Sequence, residues 1–234
     1  MELFYAEPES IEGKLAVLDD FERRHIVQTL RKKTGDIIHF TDGNGYHYTG
    51  TIRQTSPRLA VEIRQKELMP FPDQQLTLAC GFIKQNRLDF ILEKGTELGV
   101  NHFIFFKSRY ANYYSANEQR LQKVIRQALK QSLHFYRPSL TILTSFQDFL
   151  DFSANFALKL VAIDQSFPAL KHILDQKTFN GKILITVGPE GGFSNREIDL
   201  LLQNNFEGIS LGSHRLRTET AAISAVAFVK QFIQ

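Results

Sequence analysis

Two short stretches of this 234-residue sequence combine glycine with charged residues in a way suited to ligand binding. The first is Ile183-Leu184-Ile185-Thr186-Val187-Gly188-Pro189-Glu190-Gly191-Gly192-Phe193-Ser194. It reads as an apolar strand, a glycine-rich loop and a helix start, the last marked by Ser194 and Glu197 at capping-box spacing. Open α/β sheets bind ligands at the carboxyl ends of their strands, and glycine lets backbone groups approach a ligand closely. The loop is neither GxGxxG nor GxxxxGK followed by Ser or Thr, so a dinucleotide or P-loop site lacks its fingerprint. A tight strand–helix turn that is simply rich in glycine remains open from this segment alone.

The second stretch is Ile209-Ser210-Leu211-Gly212-Ser213-His214-Arg215-Leu216-Arg217-Thr218-Glu219-Thr220-Ala221-Ala222. A strand again ends in glycine and enters a helix. Free N–H groups at a helix start favour acceptors, and the macrodipole there favours acids. Arg215 and Arg217 run against that preference, which hints at a functional loop; the bland alternative is solvated arginines with Thr218 as N-cap. The small, apolar run from Ala221 to Phe228 suits close packing within the domain or across a dimer. A third segment, Glu93-Lys94-Gly95-Thr96-Glu97, places two acids on one helix face and reads as a solvated face. Among the aromatics, Phe103, Phe105, Phe106, Tyr110, Tyr113 and Tyr114 include a potential base-stacking platform, although core is the better reading for the phenylalanines. The seven histidines show no ligand spacing, so no metal is expected. No Gly-x-Ser-x-Gly elbow is present.

The elements that must position these stretches follow from pattern. Residues 1–72 read as a small β-rich barrel, with strands at Lys14–Leu18, Ile37–Thr41, His47–Ile52 and Leu59–Arg64 and a helix from about Asp20 to Leu30. Asp42-Gly43-Asn44-Gly45 is hairpin chemistry. The prolines of Met69-Pro70-Phe71-Pro72 mark a boundary. Residues 73–234 alternate strand and helix: strands at Leu76–Phe82, His102–Phe106, Leu158–Ile163, Lys182–Val187 and Gly208–Leu211, helices at Arg87–Leu98, Asn117–Phe135, Ala169–Asp175, Asn195–Asn204 and Thr218–Phe232. That order means an α/β domain with a mostly parallel sheet.

Composition bounds the class. The chain is 43% hydrophobic and 23% charged, which excludes wholesale disorder and fibrous architectures. It has no run approaching the roughly 18 apolar residues of a spanning helix. The start of the chain has no secretory pattern, and Cys80 is its single cysteine, so a cytoplasmic protein is expected. Net charge is +3, unevenly spread: residues 1–70 hold ten Lys/Arg against eleven Asp/Glu, residues 84–137 ten against four. A basic middle segment suits an anionic partner such as nucleic acid, or is a solvated basic face.

Taken together, Gly188-Pro189-Glu190-Gly191-Gly192-Phe193, Leu211-Gly212, Leu216-Arg217-Thr218-Glu219-Thr220-Ala221, and Arg87 with Glu93-Lys94-x-Thr96-Glu97-Leu98-Gly99-Val100 resemble one family. It comprises the SPOUT-superfamily methyltransferases that act on N3 of a uridine in small-subunit (16S) ribosomal RNA. The resemblance covers essentially the whole chain. It implies a PUA-like β-barrel RNA-binding domain over 1–72, a trefoil-knotted α/β methyltransferase domain over 73–234, and a homodimer acting on 16S ribosomal RNA or the small subunit. S-adenosylmethionine is the implied cofactor. Carried over by position, its site comprises Val187, Gly188, Pro189, Glu190, Gly191 and Gly192, then Ile209, Leu211 and Gly212, closed by Leu216, Thr218, Thr220 and Ala221. Arg217 is the candidate donor to the uracil oxygens and Glu219 the candidate proton acceptor. Arg24, Arg31, Lys32, Lys33, Arg87, Arg120 and Arg126 are candidate phosphate contacts. Two places depart from the family pattern. Lys130-Gln131-Ser132-Leu133-His134 stands where a Glu-Gln pair, a small residue and an Arg are usual, and Ser108-Arg109-Tyr110 where Ser-Glu-Arg is usual. A catalytically silent or retargeted RNA-binding or ribosome-assembly protein of the same fold is the alternative.

Overall fold

A computed structural model of the chain describes residues 2–113, 117–176 and 181–233. Tyr114 therefore lies outside the described residues. The chain divides into two compact units, residues 1–71 with 126–137, and residues 72–125 with 138–234.

In the first unit a six-stranded sheet runs in the order β1-β4-β5-β6-β3-β2. Its strands are β1 (Leu3–Tyr5), β2 (Ile11–Glu12), β3 (Leu15–Leu18), β4 (Ile37–Thr41), β5 (Tyr46–Gln54) and β6 (Leu59–Leu68). Only β1 and β4 pair in parallel; the other pairs are antiparallel. Alternation along β5 and β6 sends Tyr48, Ile52, Leu59 and Val61 inward against Phe4, Ile26, Ile38 and Phe40. The β4–β5 hairpin turns at Asp42–Gly45 as the sequence predicts. Asp42 accepts from the Asn44 N–H at 2.8 Å and from the Tyr48 hydroxyl at 3.1 Å, and Gly43 and Gly45 both have positive φ.

The predicted helix at Asp20–Leu30 is α1 (Asp20–Arg24), capped by Asp19 and continued by a π-turn over His25–Thr29. The strands β1 and β2 were not foreseen. Nor was the membership of residues 126–137, which the sequence assigns to the second domain. They are stitched into the first unit by Gly45 N–H to Phe135 C=O at 2.9 Å, Arg137 N–H to Gly43 C=O at 2.8 Å and Tyr136 hydroxyl to Met69 C=O at 2.8 Å. In the same unit Lys130 and Glu22 form a buried ion pair, 8% and 1% exposed.

The second unit is built on six parallel strands in the order β12-β10-β11-β7-β8-β9. They are β7 (Gln75–Gly81), β8 (His102–Phe106), β9 (Ser139–Leu143), β10 (Leu158–Ala162), β11 (Lys182–Val187) and β12 (Glu207–Ile209). Helices cover both faces, which is why β7 and β11 read as continuous apolar runs. On one face Leu76, Leu78 and Cys80 meet α2 (Gln85–Glu97) and α7 (Thr218–Phe232). On the other, Ala79, Ile104, Phe106 and Leu184 meet α4 (Phe146–Ser153) and α6 (Asn195–Gln203), with Phe106 and Phe149 stacked at 4.1 Å. The phenylalanines of β8 are core, as expected. Helix α3 (Glu118–Gln131) belongs to this unit up to Ile125, and α5 is Leu170–Asp175. The edge strand β9 and helix α4 went unread in the sequence. Among the described residues no helix is long and apolar enough to cross a membrane.

Candidate active site

The carboxyl ends of β10, β11 and β12 and the loops after them surround a cavity of about 920 Å³. That is within the range of small-molecule sites. It lies wholly within the second unit.

The loop after β11 turns tightly: the Gly192 N–H donates to the Pro189 carbonyl at 2.8 Å, and Gly192 adopts φ +72°. Pro189 leans on the end of β7, where a Cβ on Gly81 would sit 2.6 Å from its Cδ. A Cβ on Gly191 would sit 2.7 Å from the Cβ of Tyr110. The exit of the loop is fixed by Glu197, which is buried and accepts four hydrogen bonds. Its donors are the Ser194 N–H and hydroxyl at 2.8 Å each, the Arg109 N–H at 2.8 Å and the Ser108 hydroxyl at 3.0 Å. The capping-box glutamate thus also ties down the Ser108-Arg109 segment.

The loop after β12 is held by its own bonds. Ser210 donates through its N–H to the Pro168 carbonyl at 2.8 Å, and Gly212 has φ +131°. The N-cap of α7 is Arg217, with extended backbone and no side-chain cap; Thr218, read as the possible N-cap, is the first helical residue and is buried. Arg217 is exposed at the cavity wall.

Three charged side chains meet beside these loops. Arg87 Nη1 lies 2.9 Å from Glu190 Oε1, and Arg87 Nε lies 3.7 Å from Glu219 Oε1. Glu190 Oε2 and Glu219 Oε2 are buried without a hydrogen-bond partner among the described residues. Arg215 reaches the Glu190 carbonyl at 3.3 Å. Cys80 is buried nearby; burial, with Glu190 and Glu219 adding to it, pushes its thiol up, so it stays protonated and inert.

The cavity gathers most of the expected residues: Val187 to Gly192, Ile209, Leu211, Gly212, Leu216, Arg217, Thr218 and Ala221 all line it. Thr220 and Glu219 do not; Glu219 points its carboxylate at Arg87 instead. Arg87, expected on the RNA side, lines the cavity. The other basic candidates fall elsewhere. Arg120 pairs with Asp89 at 3.0 Å through Nε. Arg126 lies over the Tyr5 ring at 4.7 Å and pairs with Glu7 at 2.6 Å, so it is held inside the first unit. Tyr5 is buried there, and its hydroxyl pKa is pushed up to about 12, burial being the main cause. Arg24, Arg31 and Lys33 are exposed, while Lys32 is half-buried. Sequence reasoning missed the segment from Ala162 to Gln165, which lines the cavity after β10. Its position just past a parallel strand was the available signal.

The sequence model of the RNA methyltransferase domain family matches residues 70–230. The chain belongs to this family. A ribosomal RNA small subunit methyltransferase E from Rickettsia conorii is 32% identical over 220 residues, covering 93% of this chain and 90% of that protein. Among solved structures, a probable rRNA-methyltransferase from Porphyromonas gingivalis superposes with a TM-score of 0.88 at 29% identity, covering 100% of this chain and 98% of the other. A ribosomal RNA small subunit methyltransferase E from Neisseria gonorrhoeae, bound to S-adenosyl methionine, superposes with a TM-score of 0.85 at 28% identity, covering 99% and 97%.

Proposed function

We propose that this RNA methyltransferase family member transfers a methyl group from S-adenosylmethionine to N3 of a uridine in small-subunit (16S) ribosomal RNA. The observation that carries the reading is the cavity walled by the 188–192 and 209–218 loops. The likeness to a relative bound to S-adenosyl methionine supports the choice of cofactor. The residues fit that group. Gly192 and Gly212 hold positive φ, and a Cβ on either would meet no atom within 4 Å, so backbone is free to approach a ligand there. Val187 to Gly192, Ile209, Leu211, Gly212, Leu216, Thr218 and Ala221 form the walls that would hold it.

Once bound, the sulfonium supplies a methyl group already activated for transfer. The protein's own task is placement of the acceptor and handling of its proton. Correct placement alone lowers barriers by up to ~7–11 kcal/mol in favourable cases. Arg217 stands exposed at the wall and donates to a uracil oxygen, favouring the N3 anion; the N3 proton passes to water at the open rim. Glu219, outside the lining and paired to Arg87, acts on the site through that arginine and not as the proton acceptor. Thr220 is exposed on the first turn of α7, outside the cavity lining.

The wider assembly belongs to the same proposal. β11 is laid between β7 and β10 after both are in the chain, and the trefoil knot that the family resemblance implies is part of this proposal. The curled sheet of the first unit supports a PUA-like barrel that grips RNA through Arg24, Arg31 and Lys33. Phe228 and Phe232, exposed on α7 with their rings 5.3 Å apart, support a homodimer, and a cytoplasmic location is part of the same proposal. The test is methyl transfer from labelled S-adenosylmethionine to small subunits from a strain lacking the gene, with the nucleoside identified by mass spectrometry. N3-methyluridine is expected. Cofactor binding without transfer to any ribosomal substrate would favour the silent, RNA-binding alternative.

A further inference from the structure

One of the basic residues that line the cavity is bound by acids. Arg87, on the first turn of α2, lines the cavity and faces two carboxylates from two different elements: Glu190 of the β11–α6 loop and Glu219 of the first turn of α7. Its side chain is about one-third exposed, and Glu219 is 14% exposed. A phosphate approaching Arg87 would have to displace Glu190 at 2.9 Å and would meet the repulsion of both acids. That is a poor phosphate contact and a good anchor. A guanidinium offers donors in a rigid fork, so one side chain can hold two carboxylates at a fixed separation.

We infer that Arg87 is a positioning residue for the cofactor loop: it pins Glu190, and through it Gly188 to Gly192, to the start of α7 by way of Glu219. Two further observations support this. The second oxygens of Glu190 and Glu219 are buried and unpartnered among the described residues, so the acids are held there by Arg87 and by no competing donor. The Glu190 main chain is gripped in turn by Arg215 at 3.3 Å, so one residue of the loop joins α2, the 212–217 loop and α7. Removing Arg87 releases that junction and leaves two like charges facing each other.

The inference rests on the cavity being the S-adenosylmethionine site, so wild-type binding of that cofactor is measured first by calorimetry; its absence overturns both readings. The variants Arg87→Gln, Arg87→Lys and Glu219→Gln then separate the roles. Arg87→Gln is expected to weaken cofactor binding about tenfold or more, as for loss of a charge-assisted bond. KM for the cofactor rises while kcat at saturating cofactor stays within about twofold, the pattern of lost ground-state binding. RNA affinity and its salt dependence stay unchanged. Arg87→Lys recovers only part, because an ammonium lacks the fork. The double variant Arg87→Gln/Glu219→Gln binds cofactor no worse than Arg87→Gln alone, since both changes break one junction. Independently of the cofactor, the backbone amides of residues 188–192 exchange at least several-fold faster with solvent in Arg87→Gln than in the wild-type protein. The opposite pattern overturns the inference: unchanged cofactor affinity and unchanged amide exchange at 188–192, with weaker RNA binding and a salt slope lower by about one, as for a lost phosphate contact.

Discussion

Each unit of the molecule contains a cluster of ionised side chains withdrawn from water, and the two clusters are built differently. In the first unit Lys130 and Glu22 form a one-to-one pair, 8% and 1% exposed, with Glu22 Oε2 left without a hydrogen-bond partner among the described residues. In the second, Arg87 serves two acids, the side chains are 14–32% exposed, and the group borders a cavity. A matched, fully buried pair carries the shape of a unit and little else, because breaking it strands a charge. An unmatched group at a cavity wall can rearrange when a ligand enters. Lys130, at a position where the family resemblance implies an acid, is balanced by Glu22.

The sharpest way to break the comparison is Lys130→Met. It leaves Glu22 buried and unpaired and is expected to cost about 3–5 kcal/mol of stability, read from urea unfolding. The loss should depend on pH in a defined sense. Burial raises the Glu22 pKa and Lys130 opposes that rise, so the variant raises it further. A raised acid favours the folded state below its unfolded value, and that advantage is lost as pH rises through the folded value. The penalty of Lys130→Met therefore shrinks as pH falls toward 4, and a penalty independent of pH would contradict the assignment. Cofactor affinity of the folded variant should not change.

In the cavity the effects fall on function. Arg217→Ala is expected to lower kcat by about 10²–10³-fold with cofactor affinity retained, the cost of a lost transition-state donor. If Arg217→Lys keeps near-normal turnover and loses only salt-dependent RNA affinity, Arg217 is a phosphate clamp. Gly191→Val should cost about 1–3 kcal/mol and weaken cofactor binding, because its Cβ drives into Tyr110, 2.7 Å away. The obstruction lies on the loop's packing side and not in space reserved for the ligand, so Gly191→Ala should already show part of the effect in a thermal melt. The smallest effect expected is Ser194→Ala, about 1 kcal/mol from loss of the cap. It removes one of the four donors to Glu197, and a change of melting temperature without a change in kcat is the expected result.

Much of this was legible in the chain. The parallel strands of the second unit announce themselves as apolar runs, and β8, β11 and α7 lie where their sequences place them. The glycine loops and Ser194–Glu197 spacing located the cavity wall. What stayed hidden has physical causes. β1 is three residues long and β2 two, too short for alternation to register. β9 is an edge strand whose residues are only partly buried apart from Ser139, which is exposed. Helix α4 carried a signal that was passed over: Ser145 accepts from the Asp148 N–H at 3.0 Å, an N-cap visible as Ser-x-x-Asp. The membership of 126–137 and the turning of Glu219 toward Arg87 are long-range matters. Periodicity shows which face of a helix is buried and says nothing of what buries it.

The central claim is that the cavity at the ends of β10, β11 and β12 holds S-adenosylmethionine. Amide hydrogen exchange with and without the cofactor tests it most directly. Protection concentrated at 188–192 and 209–218, spreading to the first turns of α2 and α7, is the expected result. No protection at those loops, or protection confined to the first unit, would contradict it.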